Sequence, residues 1–154
     1  MDKITLVTGG TSGIGKEIVC SLLRVGGIIY TTFLSNEQKA KEAQIDFDKI
    51  AKNKATIIKA DVTNEFAMKK VFEQIEKENG RLDYLINNAG GDTMGDIEHL
   101  DMDIFTKDIN LHLTGKVIAI KNAISLLKKS QTPRIINIAS RLGTKPMTDR
   151  KSVV

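Results

Sequence analysis

The chain has 154 residues, a net charge of +4 and a single cysteine. That length supports one domain with a real core, and a lone cysteine excludes a disulfide framework. The basic residues alternate with acids, as in NEQKAKEAQIDFDKIAKNK. This describes solvated helix faces and argues against a nucleic-acid patch. No run is apolar enough to span a membrane, and no signal peptide precedes Ile4, so a cytoplasmic protein is expected.

From the amino terminus, ITLVT (4–8) reads as a short buried strand. GIGKEIVCSLLRVGG then carries a helical pattern closed by Gly26 and Gly27. Cys20 falls inside it and is expected to be a buried, inert thiol. IIYTTFL is a second strand, rich in β-branched and aromatic residues. The following amphipathic helix is expected to be capped by Ser35. ATIIKAD is a third strand, and the next helix starts near Thr63 or Asn64 and stops at Gly80. LDYLINNAG is a fourth strand running into a glycine turn, 101–129 form one long helical stretch, and PRIINIAS is a fifth strand.

Strand and helix alternate throughout, which predicts a parallel sheet covered on both faces. The glycine and polar motifs all fall just past strand ends, at 8–15, Asp61, 87–90 and Ser140. In an open parallel sheet those ends share one edge, where ligands bind. VTGGTSGIGKEI is the most specific of these motifs. Its glycines permit a tight turn and a close backbone approach, and they leave N–H groups and a helix dipole facing an anion. A dinucleotide pyrophosphate is the ligand that suits it.

The spacing Thr-Gly, three residues, Gly-Ile-Gly resembles the short-chain dehydrogenase/reductase family. ADV at 60–62, NNAG at 87–90, Asn110 in DINLH and Ser140 in IINIAS resemble its later motifs, in order. The resemblance implies an α/β fold of Rossmann type, a doubly wound parallel sheet, here truncated after the fifth strand. It implies a cofactor site built from Gly9, Thr11, Ser12, Gly13, Ile14, Gly15, Thr32, Ser35, Asn36, Asp61, Val62, Asn88, Ala89 and Gly90. Ser140 is expected to hydrogen-bond a substrate carbonyl and Asn110 to hold a water of a proton relay. Two plainer readings stay open: Asp61 as a helix cap and Asn110 as a solvent-facing side chain. His99 and His112 have no metal-ligand spacing, so no metal is expected.

The tip of the second strand, TTFLSNEQ, has no acid to hold ribose hydroxyls. Thr32, Ser35 and Asn36 can donate to a 2′-phosphate and Lys16 adds charge, so NADP is the expected cofactor, with NAD as the alternative. The implied reaction is hydride transfer between NADP(H) and a small carbonyl or alcohol, with reductases of β-ketoacyl-carrier-protein type as the nearest functional group. A full-length parent is expected to be a homodimer or homotetramer. The family's Tyr-x-x-x-Lys pair is absent from this sequence, whose tyrosines are Tyr30 and Tyr84. The chain as written is therefore expected to be inactive; the alternative is a non-catalytic dinucleotide-binding module acting as a sensor or partner subunit. Residues 1–148 are read as an incomplete dinucleotide-binding domain. DRKSVV, at 149–154, can be encoded by the opening of a common sequencing adapter and is read as a non-native scar.

Overall fold

The computed structural model describes residues 2–91 and 97–140. Five parallel strands form one sheet: β1 (Ile4–Val7), β2 (Ile28–Phe33), β3 (Ala55–Lys59), β4 (Tyr84–Asn87) and β5 (Arg134–Asn137). Their order across the sheet is β3-β2-β1-β4-β5. Thr5 sits between Ile29 of β2 and Tyr84 of β4, which fixes the register at the centre. The strand order reverses between β1 and β4, and a crevice opens there beyond the carboxyl ends.

Helices α1 (Gly13–Arg24) and α2 (Glu37–Ile50) cover one face, while α3 (Glu65–Asn79) and α5 (Gly115–Leu127) cover the other. Val7, Ile29 and Ile86 pack against Val19, Leu23 and Phe47 in the first layer. Leu6, Tyr30 and Leu85 pack against Val71, Ile75, Ala119 and Leu126 in the second. Neighbouring residues of one strand thus serve opposite layers, as the pleat requires.

The helix ends follow from local chemistry. Asn64 caps α3 by accepting from the Ala67 N–H at 3.0 Å, and Gly80 ends it at φ +72°. The cap of α2 is Asn36, whose Oδ1 accepts from the Lys39 N–H at 2.9 Å, rather than the expected Ser35. Ser35 instead uses its carbonyl in the preceding turn, accepting from Glu37. The predicted long helix is α4 (Met102–Ile109) continued into α5 through a π-helical turn at Asn110–Thr114. Leu127, near the end of α5, is buried in the core. Ile120 packs against that core, while Leu113, Val117 and Ile124 are exposed.

Asp83 fastens the amino-terminal end of the sheet. Its buried carboxylate accepts from the Ile4 N–H at 2.8 Å and the Ser130 hydroxyl at 2.5 Å, with the Arg81 guanidinium 3.3 Å away. Desolvation pushes its pKa up, but these donors outweigh it and hold the carboxyl below the usual aspartate value.

Candidate functional site

The turn between β1 and α1 is built by close approach. Gly10 donates its N–H to Thr31 Oγ1 at 2.9 Å, and that hydroxyl donates to the Val7 carbonyl at 2.8 Å. A Cβ on Gly10 would lie 2.2 Å from Thr31 Oγ1. A Cβ on Gly15 would lie 2.4 Å from both Asn88 Nδ2 and the Gly9 carbonyl. Gly9 and Gly13 adopt φ of +68° and +52°, which L side chains resist. Gly10 was not among the expected site residues; the doubled glycine in VTGGTSG was the available signal.

The segment after β4 is strapped to this turn. The N–H groups of Asn88 and Ala89 both donate to Thr8 Oγ1 at 3.0 Å. The Asn88 side chain donates to the carbonyls of Thr8 and Gly9 at 3.0 and 3.1 Å. Asn87 is buried and donates from its side chain to Asn137 of β5. Asn88 therefore fixes the turn, while Asn87 ties the sheet.

α1 begins without a side-chain cap: Ser12 occupies the N-cap position and makes no cap hydrogen bond. In contrast, Asn36, Asn64 and Asp101 cap α2, α3 and α4 with their side chains. No acid lies in the first turn of α1. Backbone donors and the positive end of the helix dipole are left for an anion from outside.

These parts surround a cleft of about 380 Å³ at the carboxyl edge of the sheet. Gly9, Thr11, Ser12, Ile14, Gly15, Thr32, Ser35, Asn36, Asp61, Val62, Asn88, Ala89 and Gly90 line it. Of the expected cofactor residues, only Gly13 is not in the lining. Phe33, Leu34, Lys39, Ala60 and Leu111 also line it and were not foreseen. Thr32 is buried and accepts from the Gly9 N–H at 3.3 Å, so it braces the turn. Lys16 does not serve the cleft; its ammonium pairs with Asp46 of α2 at 2.8 Å.

Asp61 closes a turn after β3, accepting from the N–H and hydroxyl of Thr63 at 2.8 and 2.7 Å. The helix cap itself is Asn64. Asn110 opens the π-helical turn, where its carbonyl accepts from Gly115 and its side chain from the Thr114 hydroxyl. A Cβ on Gly115 would press 3.1 Å from Val62, so the wide turn fits against the Asp61 segment. His112 holds the far wall: its Nε2 lies 3.1 Å from the Gly91 carbonyl, and its ring covers Gly90. Asn110 and Ser140 are exposed and do not line the cleft; Ser140 lies just past β5. The expected tail, 149–154, lies outside the described residues. Among the described residues, no group of three or more His, Cys, Asp or Glu side chains could hold a metal, and no helix is long and apolar enough to cross a membrane.

A glycine turn feeding an uncapped helix, at the strand-order reversal of a doubly wound parallel sheet, defines a domain of the Rossmann class. Within that class the chain belongs to the short chain dehydrogenase family, whose model matches residues 3–152. It is 39% identical over 145 residues to the uncharacterized oxidoreductase YxjF of Bacillus subtilis, covering 92% of this chain and 54% of that protein. It is 33% identical over 138 residues to a 3-ketodihydrosphingosine reductase of Bacteroides thetaiotaomicron, covering 90% of this chain and 47% of that protein. The chain thus spans about half the length of the curated relatives it matches. The solved RhlG/NADP active-site complex of Pseudomonas aeruginosa superposes with a TM-score of 0.86 at 28% identity, covering 96% of this chain and 58% of that one. A short-chain type dehydrogenase/reductase from Mycobacterium ulcerans shares the fold, with a TM-score of 0.89 at 23% identity over 97% of this chain and 55% of that one.

Proposed function

We propose that this chain carries the cofactor half of an NADP(H)-dependent reductase that acts on a small carbonyl or alcohol. The observation that carries this reading is the cleft: an uncapped α1 terminus and a glycine turn with no room for a Cβ at Gly15. The turn and the first N–H groups of α1 would hold the pyrophosphate. Asp61 and Val62 would contact the adenine end, and 88–90 the nicotinamide end. A bound nicotinamide supplies the hydride. Two relatives support the finer reading: one is a 3-ketodihydrosphingosine reductase and the other was solved as a complex with NADP.

Ser140 would orient the substrate carbonyl by donating its hydroxyl proton, and Asn110 would hold a water within the proton path. Protonation of the oxygen needs an acid of suitable pKa. Neither tyrosine of the chain fits. Tyr30 is buried, donates to Glu78 at 2.5 Å, and has its phenol pushed above the ordinary value by desolvation and by Glu78. Tyr84 starts β4, at the end of the sheet away from the cleft. The 154-residue chain therefore binds the dinucleotide and turns over poorly, since a missing acid/base costs about 10²–10⁴-fold in rate.

Calorimetric titration of the purified chain with NADPH tests the binding reading; saturable binding at one site is expected, and its absence sinks the proposal. Rapid NADPH oxidation by the same chain with a panel of ketones and aldehydes would contradict the inactive assignment.

A further inference from the structure

β3 is the outermost strand on its side of the sheet, and among the described residues no strand pairs with its outer side. The carbonyl of Lys54 and the N–H of Ala60 both bond to β2, through Ile29 and Phe33. Backbone groups alternate sides along a strand, so those of Ile57 and Lys59 point outward. Pairing with β2 runs unbroken from Ala55 to Lys59, so no bulge blunts this edge, and Thr56, Ile57 and Ile58 are β-branched. A lysine can guard an edge against pairing. Lys59, however, sits at the end of the strand, and its ammonium is drawn to Glu37 of α2 at 2.8 Å. Beside this edge, β3 and α3 bound a groove of about 320 Å³ that shares no lining residue with the cleft. Ile58, Phe66, Ala67 and Val71 give it an apolar surface, and Phe66 is 68% exposed. Its charged lining residues are Lys59 and Lys70, with no acid among them. The Lys70 ammonium lies 4.5 Å from the centre of the Phe66 ring. Among the described residues it takes part in no ion pair; Glu73, further along α3, pairs with Lys69 at 3.9 Å instead.

We infer that this edge docks an extended acidic segment of a partner protein, added beside β3 as a further strand with a carboxylate on Lys70 and an apolar side chain on Phe66. Phe66 and Lys70 are four residues apart on one helix, which is about 6 Å along its axis. Alternate residues of a strand are about 6.6 Å apart. One face of the added strand therefore presents an apolar and an acidic residue, two positions apart, to these two side chains. Main-chain bonds to Ile57 and Lys59 supply affinity, and the Phe66–Lys70 pair supplies selectivity. The aromatic ring already steadies the ammonium, so less side-chain freedom is lost when the carboxylate arrives. A basic segment meets like charge in the same groove and is disfavoured. The inference stands apart from the dinucleotide-binding reading.

The test is fluorescence anisotropy of a labelled peptide, Thr-Glu-Thr-Leu-Thr-Glu-Thr, titrated with the 154-residue chain. Its glutamates flank the leucine on one face, so either strand direction satisfies the spacing. Saturable binding is expected, and the same peptide with both glutamates replaced by lysine should not bind. Phe66 and Lys70 are exposed, so Lys70→Gln and Phe66→Ala are expected to fold, and circular dichroism melts verify this. Lys70→Gln should weaken binding about fivefold or more, because a charge-assisted contact is lost, and Phe66→Ala about threefold or more, because apolar contact is lost. Methylating alternate amide nitrogens of the peptide should abolish binding in one of the two possible phases. Absence of saturable binding up to about 1 mM, a Kd at the weak end of specific recognition, overturns the inference and leaves the dinucleotide reading standing. So does binding that neither substitution weakens, as a peptide seated on the β5 edge would give. Equal binding of the lysine peptide, or binding that survives methylation in both phases, overturns it as well.

Discussion

Gly15 and Gly13 sit two residues apart and impose different constraints. Gly13 has φ of +52° and open space where a Cβ would go. Gly15 has ordinary φ, but its Cβ would collide with Asn88 Nδ2 and the Gly9 carbonyl. Gly13→Ala should therefore cost about 1–2 kcal/mol, the price of the left-handed conformation, and leave the cleft intact. Gly15→Ala must separate α1 from the Asn88 strap, costing about 1–3 kcal/mol, and should also abolish saturable NADPH binding. Urea unfolding and calorimetric titration of both variants separate the effects; equal affinities would show that Gly15 is not a cleft residue. The glycine spacing made this site legible in the sequence. The local pattern could not show that Lys16 is engaged by Asp46, because that partner lies 30 residues away on another helix.

Among the elements, the five strands and the helices between the first four were readable from the alternation of patterns, because each is specified by its own periodicity, although the cap of α2 is Asn36 and not Ser35. Their lateral order was not, since β1 pairs with β4 across more than seventy residues. The π-helical turn at Asn110–Thr114 was also invisible, for it arises where Gly115 packs against Val62 of a distant segment. Asp83 holds together three of these separately specified pieces: β1, β4 and the loop after α5. Its folded pKa lies below the unfolded value, so its contribution is present above about pH 4 and is lost as pH falls through the folded pKa. Asp83→Asn keeps the shape but loses the charge that accepts from Ile4, Ser130 and Arg81. It should cost about 2 kcal/mol or more at neutral pH, and its unfolding midpoint should depend less on pH below 4 than that of the parent chain. Parallel midpoint-against-pH curves for parent and variant would refute this role.

At the scale of the molecule, one stretch of exposed apolar surface borders an open edge of the sheet. Among the described residues β5 is the outermost strand on its side of the sheet, and Ile135 and Ile136 are 39% and 46% exposed on it. Leu113, Val117 and Ile124 add exposed apolar surface along the helix that packs beside β5. Among the described residues no strand pairs with the outer side of β5, so its backbone groups form a template for another chain. Exposed apolar side chains next to an open edge favour association. The purified chain should therefore self-associate as its concentration rises, and the association should be little affected by salt, because apolar burial rather than charge drives it. The register separates the two isoleucines: Ile135 aligns with Leu85 on the α3 and α5 side, and Ile136 with Ile86 on the α1 and α2 side. A lysine at the more exposed of the two discourages edge pairing while leaving the α5 contacts in place. Multi-angle light scattering should show Ile136→Lys shifted toward monomer at concentrations where the parent chain is associated, with the circular dichroism spectrum preserved. A parent chain that stays monomeric over the same range would mean that this side of the molecule is protected by something other than a partner surface.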